Sequence, residues 1–290
     1  MSTNVEYSLD FVKRAAADLL SVRPAYREII GFYADIFAAQ EEARPQIRLE
    51  PFQLLPDLVR IKLKEQFPLI QPGEMRFDPE VCQALFGELC RIAVDRRTQL
   101  AESADSLLKH SAGILPLFQS LLDGNEADIK AAAAAFGSTA EALSFFLHHS
   151  LRPSLCRCAQ ELSGFLPDDL VWEKGYCPIC GRPPVLAWLE VDGRQFLFCS
   201  FCWHRWPGRR AVCPFCGNSD PQRLSYLYSE EEKEYRLDVC DACRKYVKTV
   251  DSRQMARTSY PPLEQIASLH LDIKASEAGY EPGLPLPSPK

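Results

Sequence analysis

Four Cys-x-x-Cys pairs lie close together in the second half of this 290-residue chain, and they constrain its fold more than any other feature. The eight cysteines are Cys177, Cys180, Cys199, Cys202, Cys213, Cys216, Cys240 and Cys243. A redox dithiol ordinarily occurs as a single such pair at the start of a helix, whereas repeated pairs supply thiolate ligands to metal ions. The spacing therefore predicts metal binding rather than disulfide exchange.

The beginning of the chain bears on the redox compartment. Residues 1–7 contain neither the basic nor the apolar region of a secretory signal. We therefore expect a reducing compartment, in which a framework of disulfides does not form. No apolar run approaches the ~20 residues that are needed to cross a bilayer, so membrane insertion is not expected.

The eight cysteines divide into two parallel sets, each with the order cysteine pair, hairpin, cysteine pair, third strand. Asp192-Gly193 lies between two apolar runs in the first set, which is typical of a two-residue hairpin turn because both positions take positive φ. The second set contains the corresponding hairpin from Leu224 to Val239. A glycine follows the first pair of each set, where a positive φ would close the turn. The pattern predicts two tandem zinc-ribbon or rubredoxin-like modules.

Each set is expected to hold one metal ion, either iron or zinc, because tetrahedral thiolate sites accept both metals. Four protein thiolates leave no open position, so each ion is expected to be structural or at most a one-electron redox centre. Cross-braced pairing of the four cysteine pairs is an alternative, although sequential pairing explains the hairpins better. No catalytic triad order, phosphate-binding loop, dinucleotide motif or zincin helix is present, so we predict that the chain is not an enzyme.

The first half of the chain is rich in Ala and Leu with helical periodicity, which predicts an all-α domain of six to eight helices over residues 1–172. Segments expected to be helical include 9–22, 78–97, 101–122, 126–136 and 139–163. The expected fold is therefore a multidomain α and β protein, in which the helical domain is followed by two tandem metal modules at 173–211 and 212–251. A short helix and a Pro-rich tail are expected at 252–290.

Basic and aromatic residues alternate after the second cysteine pair, at Trp203, Arg205, Trp206, Arg209 and Arg210. Such mixtures occur both in single-stranded nucleic-acid platforms and in the hot spots of protein interfaces. The chain has a net charge of −6 and a pI of about 5.5, which disfavours nucleic acid as the partner. We therefore predict that these five residues contact a protein partner.

The cysteine-rich segment resembles the formate dehydrogenase accessory protein family (FdhE). The resemblance is carried by Cys-Pro-Ile-Cys-Gly, Cys-Ser-Phe-Cys-Trp-His-Arg-Trp, Cys-Pro-Phe-Cys-Gly and Cys-Asp-Ala-Cys-Arg-Lys-Tyr-Val-Lys between residues 177 and 248. The family is also similar in having a helical N-terminal half. The eight cysteines match the family's thiolates one for one.

This resemblance implies a cytoplasmic maturation factor that is required for formate dehydrogenase activity. It would bind the molybdenum- or tungsten-bearing catalytic subunit before export, with iron bound through the thiolates. Two alternatives are a zinc-ribbon protein that binds nucleic acid and a rubredoxin-like electron carrier. Salt-dependent nucleic-acid binding would favour the first alternative, and a reversible iron–thiolate spectrum would favour the second.

Overall fold

The computed structural model describes residues 7–283 except 229 and 231. Its first part contains eight α-helices. They are α1 (Leu9–Val22), α2 (Arg27–Ala43), α3 (Pro56–Lys64), α4 (Pro79–Asp95), α5 (Ala101–Leu108), α6 (Leu115–Asp123), α7 (Glu126–Ala135) and α8 (Ala140–Ser163). Within the described residues, none of the helices is both long and apolar enough to cross a membrane.

Local signals place most of these helices where they were predicted. The side chain of Ser8 caps α1 by accepting a hydrogen bond from the Phe11 amide at 3.2 Å, and Asp78 caps α4 in the same way. The segment predicted as one helix over 101–122 instead forms α5 and α6, with a 3₁₀ turn at Ser111–Gly113 between them. Pro116 favours a new helix start here, because a proline in the first turn lacks only an N–H that no helical carbonyl would accept.

In the second part of the chain, the described residues form one mixed sheet of seven strands. The strands are β1 (Pro184–Leu189), β2 (Gln195–Cys199), β3 (Arg205–Pro207), β4 (Leu224–Tyr228), β5 (Tyr235–Cys240), β6 (Lys245–Asp251) and β7 (Glu281–Pro282). Both predicted hairpins and both predicted third strands are present. Their order across the sheet is β3-β2-β1-β6-β5-β4, and β7 pairs with β6.

The two metal modules share this sheet. Strand β1 of the first module pairs in parallel with β6 of the second, from Leu186 opposite Lys248 to Leu189 opposite Asp251. The sequence pattern described each module separately and did not indicate this connection. The hydrophobic core also continues from the helices into β1, β2, β5 and β6. The boundaries at 172 and 211 remain predictions about folding units.

The segment after β6 differs from the prediction of one short helix and a solvated tail. It forms two helices, α9 (Pro261–Ala267) and α10 (Leu269–Glu277), which bury Leu263 and Leu271. Helix α9 packs against α1, α2 and β1, and α10 packs against β5. This segment thus joins the helical part to the sheet. Residues 284–290 of the predicted Pro-rich tail lie outside the described residues.

Candidate metal centres

The four cysteine pairs lie in tight turns of the same local geometry. Gly181, Trp203, Gly217 and Arg244 follow the pairs directly, and their φ angles lie between +57° and +74°. In three of these turns the amide of that residue donates to the carbonyl of the first cysteine at 2.8–2.9 Å. Glycine takes a positive φ without a steric cost, which explains its position after Cys180 and Cys216.

The first set consists of Cys177, Cys180, Cys199 and Cys202, and all four are buried with exposures of 0–1%. Their sulfur atoms lie within 4.8 Å of one another. The measured separations are 3.8 Å from Cys177 to Cys202, 3.5 Å from Cys180 to Cys199 and 3.6 Å from Cys180 to Cys202. The hairpin of β1 and β2 brings the two pairs together.

The second set consists of Cys213, Cys216, Cys240 and Cys243, again with all sulfur atoms within 4.8 Å. The Cys213–Cys243 and Cys216–Cys240 sulfur pairs are each separated by 3.7 Å. Here the hairpin of β4 and β5 joins the pairs. The structure therefore groups the cysteines sequentially and not as a cross-brace. Cys216 is exposed and Cys243 is half-buried, so this set lies at the surface.

The dimensions of both sets fit a tetrahedral metal ion. Metal–sulfur bonds of about 2.3 Å place the sulfur atoms of a tetrahedron about 3.8 Å apart, close to the observed separations. The amides of Phe201 and Cys202 also point at the Cys199 sulfur, at 3.4 and 3.5 Å. Such amides stabilise negative charge on a thiolate. Each set could therefore hold one iron or zinc ion through protein ligands alone.

The titration of the thiols differs within each set. Burial raises the pKa values of Cys177 and Cys202 well above the usual range, and it also raises the pKa of Cys213. Burial alone would also raise the pKa values of Cys199 and Cys240, but hydrogen bonds from neighbouring groups hold both below the usual value. Four thiolates so close together would repel each other, so some of the cysteines keep their thiol protons in the absence of metal. A cation that binds to the set must displace these protons.

The helical part contacts the first set directly. The amides of Leu69 and Ile70 donate to the carbonyls of Pro178 and Ile179 at 2.9 and 3.0 Å, so the connection after α3 binds the first cysteine turn. The amino-acid sequence gave no indication of this contact. Backbone pairing of this kind leaves little trace in side-chain identity, so no residue pattern could have located it.

Three histidines lie near the first cysteine set, His204 buried and His148 and His149 half-buried. His148 in α8 contacts the ring of Phe201 at 5.9 Å, next to His149. His204 is fully buried, and neither of its ring nitrogens has a hydrogen-bond partner among the described residues. Burial lowers the pKa values of His148 and His204 to about 4. These residues are therefore neutral at pH 7.

The five predicted partner residues occupy different environments. Trp206 is only 1% exposed, so it belongs to the core and cannot contact a partner in this conformation. Arg205 pairs with Glu190 at 2.7 Å, while Trp203 is half-buried beneath the guanidinium of Arg152. Arg209 and Arg210 are exposed. Of the predicted surface, these two arginines are the accessible part.

A cavity of about 60 Å³ lies where the helical part meets the first module. Residues from α2, α8, β2 and α9 line it, including Arg44, Arg152, Cys156 and Tyr260. One ligand cysteine of the first set, Cys202, also reaches its wall. Residues of the helical part therefore lie next to Cys202 across this cavity.

These observations define a class: a helical protein with two tandem four-cysteine modules joined in one sheet. The fold is shared with the crystal structure of the FdhE protein from Pseudomonas aeruginosa, with a TM-score of 0.66 over 97% of this chain and 96% of that one, at 20% sequence identity. No family model matches the sequence.

Comparison with curated proteins finds relatives that carry the same name. The chain is 28% identical to the protein FdhE homolog of Aquifex aeolicus over 263 residues, which covers 89% of this chain and 87% of that protein. It is 30% identical over 108 residues to an FdhE homolog of Haemophilus influenzae and 25% identical over 152 residues to FdhE of Escherichia coli. Those two matches cover 35% and 48% of the relatives. The resemblance to the FdhE family is therefore confirmed.

Proposed function

We propose that this protein is an accessory factor that is required for formate dehydrogenase activity and binds the catalytic subunit in the cytoplasm before export. The observation that carries the proposal is the presence of two four-cysteine sets of tetrahedral size on a fold shared with an FdhE protein. The near full-length similarity to the Aquifex FdhE homolog supports the same role.

The protein acts by binding and not by turnover. Each cysteine set offers four protein ligands, so a tetrahedral ion bound there has no position left for a substrate. A bound iron or zinc ion neutralises part of the thiolate charge and fixes the two turns of its set. The chain's own residues then keep the modules rigid: the strands orient the turns, and amides directed at sulfur hold the thiolates.

Deletion of the gene in its host, with the formate dehydrogenase subunits still expressed, tests the role. We expect formate dehydrogenase activity to fall and a wild-type copy of the gene to restore it. The purified protein should also retain the catalytic subunit in a pull-down. Unchanged activity together with no association would refute the proposal.

Two variants make the test specific to the metal sites. Cys199→Ser removes a ligand of the first set, whereas Cys90→Ala removes a buried thiol outside both sets. We expect only the second variant to restore activity. Elemental analysis of both should give close to two metal ions per chain for Cys90→Ala and fewer for Cys199→Ser. Equal metal content would show that Cys199 is not a ligand.

A further inference from the structure

Strand β4 forms one edge of the sheet, and the backbone groups of three of its five residues have no partner strand among the described residues. The Asp241 amide donates to the Arg223 carbonyl at 2.9 Å, which makes these two opposed residues a hydrogen-bonded pair of the antiparallel ladder. Hydrogen-bonded and non-hydrogen-bonded pairs alternate along such a ladder. Ser225 and Leu227 therefore bond to β5, while the N–H and C=O groups of the intervening residues point outward. Those residues are Leu224, Tyr226 and Tyr228.

The two edges of the sheet differ in protection. The opposite edge strand, β3, has only three residues, one of them Pro207 and another the ion-paired Arg205. Short length, proline and charge are the usual devices that keep an edge from pairing with another chain. Strand β4 has five residues and contains neither proline nor charge. Tyr226 and Tyr228 are 58% and 60% exposed, so large apolar surface accompanies the open backbone.

A groove runs beside this edge on the face of the sheet that carries Tyr226. Its volume is about 460 Å³, and the loop 210–215 forms its far wall. Two cations, Arg210 and Lys245, line it without an ion pair among the described residues. The remaining charged residues of the lining, Arg236 and Asp238, pair with each other at 2.8 Å. Cys213 and Cys240 of the second set also line the groove, but they are buried, so the unpaired charges it presents to an occupant are the two cations, which carboxylates would complement.

We propose that the edge of β4 and its groove bind an extended, acidic segment of a partner protein by strand addition. Main-chain hydrogen bonds to residues 224, 226 and 228 would supply affinity, and alternate side chains of the segment would enter the groove toward Arg210 and Lys245. This inference rests on the proposed function in one respect: the acidic segment is assigned to the formate dehydrogenase catalytic subunit. Arg210, predicted from the sequence to contact a partner, lies in this wall.

Binding of a defined peptide tests the surface with the full-length, metal-loaded protein. The probe is a blocked, fluorescent seven-residue peptide of alternating valine and glutamate, and its lysine-for-glutamate counterpart is the control. We expect fluorescence anisotropy to detect binding of the acidic peptide that weakens with added salt, and little binding of the basic one. A copy of the acidic peptide N-methylated at alternate residues should not bind, because it cannot complete the ladder.

Two variants at one position separate backbone pairing from side-chain contact. Tyr226→Pro removes an outward N–H without removing a bond to β5, whereas Tyr226→Thr keeps that N–H and loses the ring. We expect Pro to weaken peptide binding at least about tenfold relative to Thr. Arg210→Glu combined with Lys245→Glu leaves the backbone intact and should reverse the preference between the two peptides. This charge variant keeps the test valid if the proline variant does not fold.

Several results would overturn the inference. They are no binding of the acidic peptide to the wild-type protein, equal binding by the Pro and Thr variants, or a dimer in light scattering that Tyr226→Pro dissociates. The last result would assign the edge to a second copy of the chain. Failure of the proposed function is a separate outcome, since it would appear as absence of the catalytic subunit from wild-type pull-downs while edge-dependent peptide binding persists.

Discussion

The two cysteine sets have the same kind of ligands and turns but differ in burial. All four sulfurs of the first set are buried, and backbone hydrogen bonds tie its first turn to Leu69 and Ile70 of the helical part. In the second set, Cys216 is exposed and Cys243 is half-buried. Helix α8 also lies against the first set through His148 and Phe201.

This difference indicates that equal coordination does not imply an equal role in stability. A metal in the first set would fix a turn that is part of the continuous core, so its loss would disturb residues far from the site. A metal in the second set would fix a hairpin at the end of the sheet. The exposed sulfur there is also open to exchange with solutes, whereas the first set is not.

The largest expected effect comes from matched ligand substitutions. Cys199 and Cys240 each begin the second pair of their set at the end of a strand, so Cys199→Ser and Cys240→Ser make the same chemical change in the two environments. We expect Cys199→Ser to lower the free energy of unfolding by more than about 4 kcal/mol, as loss of a buried metal site does. Cys240→Ser should cost less. Urea unfolding followed by circular dichroism measures both.

The pattern of unfolding provides the control for that comparison. Cys240→Ser should leave the helical signal cooperative and near wild type, with new protease sensitivity confined to residues 212–251. Equal destabilisation by the two substitutions would show that the second set supports the core as much as the first.

Chelation should distinguish the sets by rate. We expect metal release to a strong chelator in two phases, with one ion from the second set lost first because Cys216 is accessible. Alkylation at pH 7 after the fast phase should label the second set's cysteines, and mass spectrometry of the peptides identifies them. Release of both ions in a single phase, or labelling of Cys177 before Cys216, would contradict the structural difference.

The sequence predicted the local parts of the sites well because those parts depend on neighbouring residues. Asp192-Gly193 indicated the first hairpin, and Gly181 and Gly217 have the positive φ expected of them. The spacing of the cysteines indicated which pairs a hairpin could bring together. Each of these inferences involves interactions within one module, where side-chain type and spacing carry the information.

The non-local parts were not predictable in the same way. The parallel pairing of β1 with β6 and the bonds from Leu69 and Ile70 use backbone groups, which every residue possesses. The two helices after β6 were predicted as one helix because Ser268 does not interrupt the apolar pattern. Burial of Trp206 was missed because an Arg- and Trp-rich segment fits a core-facing strand as well as an interface.

Acid should also affect the two regions differently, because the buried His204 and the half-buried His148 and His149 lie near the first set. Burial, with the nearby charges of His148 and Arg152, lowers the pKa of His149 well below 6.5. A histidine whose folded pKa is depressed contributes stability that is present above its unfolded pKa and is lost as pH falls toward the folded value. We therefore expect stability to fall from about pH 6.5 downward.

His149→Gln should flatten this dependence, because glutamine does not titrate and can still accept a hydrogen bond from Gln40. For the neighbouring His148, whose pKa falls from 6.5 to about 4, the corresponding loss by pH 4 is about 3 kcal/mol. His110→Gln is the matched control at an exposed histidine and should leave the pH profile unchanged. Thermal unfolding between pH 4 and 7.5 measures the profiles. If the stability of the wild type and of His149→Gln changed with pH in the same way, His149 would not be a cause of the acid sensitivity.

The smallest expected effect tests whether the two sets are independent. Gly175 lies two residues before Cys177 of the first set, yet a Cβ atom there would overlap the carbonyl oxygen of Pro214, inside the second set's first turn. Gly175→Ala should therefore displace that turn and destabilise the protein by about 1–3 kcal/mol, as overpacking does. Gly113→Ala is the control, since its Cβ would have its nearest neighbour at 3.9 Å. Because the displaced backbone carries Cys213 and Cys216, the fast phase of metal release should quicken while the slow phase keeps its rate. If only the slow phase changed, the first set would be the one that moves to avoid the overlap between the new Cβ atom and Pro214. The buried set would then deform more easily than the exposed one.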